Sequence, residues 1–230
     1  MPAIIANPPI TADLAALAQS IKDWGRELGF QQVGIAGLDL AEHEQHLQRW
    51  LDAGYHGEMD YMAAHGSKRS HPEELVPGTL RVVSLRMDYL PGDTEMAQRL
   101  AQPEKAYVSR YALGRDYHKL IRKRVQQLAE RIQQAIGPFG YRAFVDSAPV
   151  LEKAIAEQAG LGWIGKNTLI LNRKAGSYFS SVSCSSTCRF RSTRHTPANI
   201  AAVARPAWTS ALPPRSSALT CWTPDAAFPT

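Results

Sequence analysis

Leu14, Leu17, Ile21, Trp24 and Leu28 fall on one helical face, so the chain's first clear element is an amphipathic helix. Thr11 stands where an N-cap is wanted, and Gly29 where a helix stops. The period then changes: Gln31–Leu38 alternates around Val33 and Ile35 as a strand does. The same reading predicts a second helix over Leu40–Ala53 and a second strand over Arg81–Leu90. Between them, Gly54–Gly78 is rich in glycine, histidine and charge and reads as short turns and loops. The strongest pattern runs from about Tyr117 to Ile136, where Ile121, Val125, Leu128, Ile132 and Ile136 form one stripe before Gly137-Pro138. A strand over Tyr141–Asp146, a helix over Pro149–Ala159 with proline in its first turn, and a last strand over Thr168–Asn172 follow. Helices alternate with strands, which predicts an α/β sandwich.

Past Phe179 neither period survives. Serine, threonine, proline, alanine and arginine dominate, so residues 1–179 are expected to form one domain and residues 180–230 an irregular tail without a packed core. The charge divides at the same place. The chain carries a net +5, but the tail holds five arginines against one aspartate, Asp225, and no lysine or glutamate. The body is nearly balanced, so the basic character says nothing of nucleic acid binding by the folded part. The three cysteines, Cys184, Cys188 and Cys221, also lie in the tail. No neighbouring histidine or fourth cysteine completes a metal site, and they read as free thiols. No apolar run is long enough to span a bilayer, and MPAIIANPP lacks the charged start and apolar stretch of a secretory signal. The expectation is a cytoplasmic chain.

Several segments carry a more specific signal: GYHGEMDYM (54–62), KRSHPEELVPGTLRVVS (68–84), SRYALGRDYHK (109–119), GPFGYRAFVDSAPVLEKAIAEQAGLGWIGKNTLIL (137–171) and AGSYF (175–179). Together they cover most of residues 10–179 and resemble the epoxyqueuosine reductase family. The resemblance implies a cobalamin-binding α/β domain, followed by a ferredoxin-like domain with two 4Fe–4S clusters and helical repeats. It implies reduction of the epoxide of epoxyqueuosine, at the wobble position of tRNA, to the alkene of queuosine. The implied partners are that tRNA and an external electron donor, with the protein monomeric. The cobalamin-plus-ferredoxin plan is also similar to that of reductive dehalogenases, but DSAPVLE and GWIGKNT favour the queuosine family.

The tail departs from that family, which continues from AGSYF into FLGE and a cysteine-rich cluster motif. The genetic code permits a test. If each codon is taken as the last base of one residue's codon and the first two of the next, residues 179–184 allow Phe-Leu-Gly-Glu-Leu. Residues 199–213 allow a C-x2-C-x2-C-x3-C-P run, the bacterial 4Fe–4S spacing, and residues 221–230 allow Leu-Asp-Ala-Arg-Arg-Cys-Ile-Ser-Tyr. Three matches in one register point to the cluster domain read one base out of frame.

Removing an epoxide oxygen needs electrons at carbon and a proton at the oxygen. Asp146 ends a predicted strand ahead of a helix, and by resemblance it is the family's proton donor. Taken alone it reads as a helix N-cap, and the matched motif is what favours the donor role. The resemblance also implies cobalamin contacts at Arg69, Ser109, Asp146, Asn167 and Ile170. A guanidinium suits a corrin amide or phosphate, while Ile170 on its own reads as plain core. His118 and Asp116 read as polar residues at a helix start, because the family resembles base-off cobalamin binders without a histidine on cobalt. His56, His65 and His71 lack metal spacing. With no cluster cysteines in frame, the alternative is a cobalamin-binding remnant without activity.

Overall fold

The computed structural model describes residues 13–90, 95–146 and 148–193. Along them run α1 (Leu14–Glu27), β1 (Gln32–Ala36), α2 (Ala41–Asp52), α3 (Pro72–Leu75), β2 (Arg81–Asp88), α4 (Met96–Leu100), α5 (Tyr117–Ile136), β3 (Tyr141–Phe144), α6 (Glu152–Gln158), β4 (Trp163–Ile164), β5 (Ile170–Leu171) and β6 (Phe179–Ser186). Four strands make the main sheet in the order β1-β2-β6-β3, each neighbouring pair antiparallel. β4 and β5 form a separate hairpin.

Strand alternation divides the core into two. On one face Val33, Ile35, Val83, Leu85, Val182 and Cys184 pack under α1 and α5. On the other, Ala36, Val82 and Phe179 pack against Ala154, Ile155, Ala156 and Ala159 of α6 and its end. The result is the α/β sandwich that the alternation of periods predicts. The stripe on α5 is buried at Ile121, Val125, Leu128, Ala129 and Ile132. Burial of each Ile, Val and Leu contributes about 1.5–3 kcal/mol, against at most about 0.7 kcal/mol of intrinsic propensity per ordinary residue, so packing decides this helix. Gly34 lets β1 touch the helix layer: a Cβ there would lie 2.1 Å from the carbonyl oxygen of Ala159. Among the described residues no helix is long and apolar enough to cross a membrane.

The expected strands are shortened to Arg81–Asp88, Tyr141–Phe144 and Ile170–Leu171, and three larger differences stand out. Thr11 lies outside the described residues, and Asp13 caps α1, accepting from the Ala15 N–H at 2.8 Å. The helix expected from Pro149 begins at Glu152, with Leu151 at the cap and no side-chain cap bond. Asp146 is therefore not a helix cap. The largest difference is β6. The tail was expected to lack a packed core from residue 180, yet β6 is a central strand. Beyond it Cys188 and Phe190 are buried, and Thr193 bonds to the outer edge of β1 through Ile35, at 2.9 Å and 2.8 Å. The folded body thus reaches at least Thr193, while residues 194–230 lie outside the described residues.

Backbone ladders form with little regard to side chains, which explains why a serine-rich segment can occupy this place. Only Val182 and Cys184 give β6 an apolar alternation toward α1 and α5. Ser183 sits opposite Ser84, both fully buried, and neither hydroxyl has a hydrogen-bond partner. An unpaired buried hydroxyl costs about 1–3 kcal/mol. Cys184 and Cys188 are free core thiols rather than tail thiols. Burial pushes them up to about 12 and about 11, which leaves them unreactive.

Candidate active-site cleft

The loop between β3 and α6, the N-terminus of α5 and the segment around Tyr61–Arg69 meet at a cleft of about 670 Å³. Asp146 lies on its wall, at the point where the chain leaves β3. Its φ is 59°, a left-handed conformation that aspartate tolerates better than most residues. That backbone turn aims the carboxylate at α5. Its Oδ2 accepts from the Tyr117 hydroxyl and lies 3.0 Å from Nε2 of His118. The other ring nitrogen of His118, Nδ1, lies 2.8 Å from Oδ1 of Asp116, and the same oxygen accepts the His118 backbone N–H. Asp116 is thus the N-cap of α5 and a partner of the histidine ring. Its carboxyl is held below the usual range, chiefly by the hydrogen bond with the His118 ring. His118, which reads in sequence as a polar helix-start residue, is therefore part of the site.

Tyrosines build the adjoining wall. Tyr117 stacks on His118 at 4.1 Å and meets Tyr111 edge-on; Tyr89 contacts both Tyr111 and Tyr178 edge-on. Burial, then the hydrogen bond to Asp146, raises the Tyr117 phenol well above its ordinary value, so it donates a hydrogen bond and keeps its proton. Sequence reasoning missed this wall. Its only trace is the recurrence of tyrosine at positions 89, 111, 117 and 178, too widely spaced for any local period.

Arg69 also lines the cleft. Its guanidinium donates to the carbonyls of Met62 and Tyr61, bracing the turn that forms one rim, and its carbonyl accepts from Leu151 N–H. Ser109, Asn167 and Ile170 lie outside the lining. Ser109 is exposed at the start of the 110–112 turn. Asn167 is exposed, its Oδ1 taken by the Leu169 N–H. Ile170 is buried in the core beneath α6. The structure thus brings two of the five candidates, Arg69 and Asp146, to one place.

A second carboxyl, Glu152, lines the cleft and was not singled out from sequence. Its Oε1 is out of solvent and without a hydrogen-bond partner. Burial, then the charge on Asp146, pushes it up to about 8. The unfolded chain ionises the same group near its ordinary 4.5, so folding favours its protonated form. The folded state loses stability as pH rises from about 4.5 through 8, and no further loss follows above that. At about 1.4 kcal/mol per pH unit, reduced because the cleft is open to water, the loss is about 2–4 kcal/mol. Glu152→Gln is expected to remove that slope. Urea midpoints at pH 5 and pH 8.5 should converge in the variant and separate in the parent.

The family described as "Epoxyqueuosine reductase QueG, DUF1730" matches residues 69–147, a range that includes Arg69, His118 and Asp146. The chain is 86% identical over 173 residues to the epoxyqueuosine reductase of Pseudomonas aeruginosa, covering 75% of this chain and 47% of that one. It is 62% identical over 167 residues to the enzyme of Escherichia coli, covering 73% and 44%. Among solved structures, a crystal structure of selenomethionine-labelled epoxyqueuosine reductase superposes with a TM-score of 0.70 at 19% identity, over 80% of this chain and 49% of that one. An epoxyqueuosine reductase holding a tRNA-Tyr stem loop modified with epoxyqueuosine gives 0.67 at 18% identity, over 80% and 48%. The chain spans about half the length of the curated relatives it matches. Over about three quarters of its length the chain is similar in sequence to epoxyqueuosine reductases, and it shares the fold of the solved ones.

Proposed function

We propose that this chain is the cobalamin-binding portion of a cytoplasmic epoxyqueuosine reductase acting on tRNA, with Asp146 as proton donor to the departing epoxide oxygen. The observation that carries the reading is the placement of Asp146: a carboxyl turned by a left-handed backbone into a cleft, with Tyr117 and His118 both on Oδ2. The cleft suits a flat, mostly apolar macrocycle rimmed by amides. Val150, Leu151 and Ile164 offer apolar wall, Arg69 offers a cation, and Glu152 offers an unpartnered oxygen. Were cobalamin held there, its reduced form would supply the electrons that the epoxide carbon needs. Arg69 and Glu152 would hold its periphery, and the tyrosine wall would keep water from the reacting oxygen. Ser109, Asn167 and Ile170 enter the proposal through the family resemblance alone.

One relative, from Bacillus subtilis, was solved with an aspartate-bearing catalytic loop swung out of the active site. Asp146 also stands on a loop, between β3 and α6. An absorbance titration of the full chain with cobalamin tests the reading. A saturating spectral change in the parent, weakened at least several-fold in Arg69→Ala, is expected. No spectral change would sink it.

The tail supports a second statement. Unpaired serines at the centre of a sheet, and the end of the close match to relatives after about three quarters of the chain, favour a 4Fe–4S domain read one base out of frame from near Phe179. Lacking the cluster cysteines in frame, this chain is proposed not to turn over on the family's usual electron supply. It would then serve as a cobalamin-binding remnant. Sequencing the gene across codon 179 decides the point, and an unbroken frame shared with relatives overturns it.

A further inference from the structure

The cleft wall holds one polar atom for which the fold supplies no partner. Among the described residues lining the cleft, only Glu152 has a side-chain polar atom, Oε1, that is out of solvent and bonded to nothing. Burying an oxygen without a partner is unfavourable, and a ligand that brings the partner regains what was lost. Three other polar groups of the wall are already engaged. Asp146 accepts from Tyr117, Arg69 donates to the carbonyls of Met62 and Tyr61, and His43 lies 3.7 Å from Oε2 of Glu157. Glu152 is also held in place. It is the first residue of α6, whose Ala154, Ile155 and Ala156 are buried in the core, so a rigid element presents its carboxyl. Val150, Leu151 and Ile164 make the same wall apolar.

We propose that Glu152 is a specificity-determining residue of the cleft, pairing its carboxyl with a primary amide on the edge of the ligand. The inference rests on the cobalamin reading and deepens it: the rim of that macrocycle carries primary amides, and Glu152 takes one of them. Oε1 accepts from the amide N–H. Burial, then the charge on Asp146, keeps the carboxyl protonated near neutral pH, so its hydroxyl can also donate to the amide carbonyl. Primary amides offer this donor and acceptor side by side. An ester or a tertiary amide keeps the carbonyl but has no N–H, and Oε1 then stays unpaired under the bound ligand. Such a ligand loses about one hydrogen bond, roughly three- to tenfold in affinity.

Two titrations of the full chain test this. The first follows by absorbance the binding of cobinamide, whose rim is primary amides, and of cobyrinic acid heptamethyl ester, whose rim is esters. Glu152→Ala should lower the preference for the amide rim by about three- to tenfold. Glu152→Gln, whose own amide offers the same donor and acceptor, should keep the parental preference. A merely structural role would weaken both ligands alike. A preference unchanged in the alanine variant, or lost in the glutamine variant as well, overturns the proposal. The second titration needs no macrocycle. Carbon-13 NMR of the Glu152 carboxyl should show a saturable shift with benzamide and none with N,N-dimethylbenzamide, which has no N–H. Equal responses to the two, or no response to either, overturn the amide site. If benzamide shifts the signal while neither macrocycle changes its spectrum, the cobalamin reading fails and the amide site stands.

Discussion

Asp146→Asn is expected to lower alkene formation by about 10²–10⁴-fold, the range typical for loss of a positioned general acid. Asparagine is the informative replacement. It is one of the few residues that accepts a left-handed backbone, which residue 146 requires at φ 59°. Its amide oxygen can still accept from Tyr117, so the loop between β3 and α6 keeps its anchor on α5. What disappears is the ionisable proton. Cobalamin affinity should therefore change by no more than a few-fold, and thermal stability should change little. The assay is single-turnover reduction of an epoxyqueuosine stem loop with chemically reduced cobalamin. If the asparagine variant matches the parent, Asp146 is not the donor. Alanine would confound this result, because it adds backbone strain and removes the contacts with Tyr117 and His118.

The second large effect is structural. Gly34→Ala should destabilise the fold by about 3 kcal/mol, at the upper end for an overpacked core. The added carbon would lie 2.1 Å from the Ala159 carbonyl oxygen and 2.9 Å from its carbonyl carbon. Those are backbone atoms, so no rotamer change relieves the clash, and the sheet and α6 have to separate. Because Glu152 opens α6 and lines the cleft, cobalamin binding should fall in parallel with stability. Urea unfolding measures the first and absorbance titration the second. A variant with a parental midpoint would mean that the contact is looser than described.

The legible parts of this chain were those with long, regular repeats. The stripe on α5 marked the helix to its terminal residues, because twenty residues of one period leave no alternative. β1 was found by alternation around Val33 and Ile35, and β2 from the run Arg81–Leu90, which overshoots its observed end at Asp88. The start of α6 was misplaced because Pro149 suits a first helical turn, yet the loop carrying Asp146 persists through Leu151. β6 was missed for a physical reason. Its place is set by ladders to β2 and β3, and five serines hide the two apolar positions, Val182 and Cys184, that face the larger core. At the site, sequence pointed to Asp146 and Arg69 through family resemblance. The pairing of His118 with Asp146, 28 residues further on, and the tyrosine wall arise only when distant segments meet. No local pattern encodes them.

The position of β6 also governs the order in which the molecule can form. β1 pairs with β2, and among the described residues β3 has no partner in the sheet other than β6. A nascent chain of 178 residues therefore holds three of the four strands and cannot join β3 to the other two. Closure spans roughly a hundred residues between β2 and β6, the kind of distant pairing that slows folding. Until residue 186 has left the ribosome, β3 stays detached, and Asp146, at its end, has no fixed place beside α5.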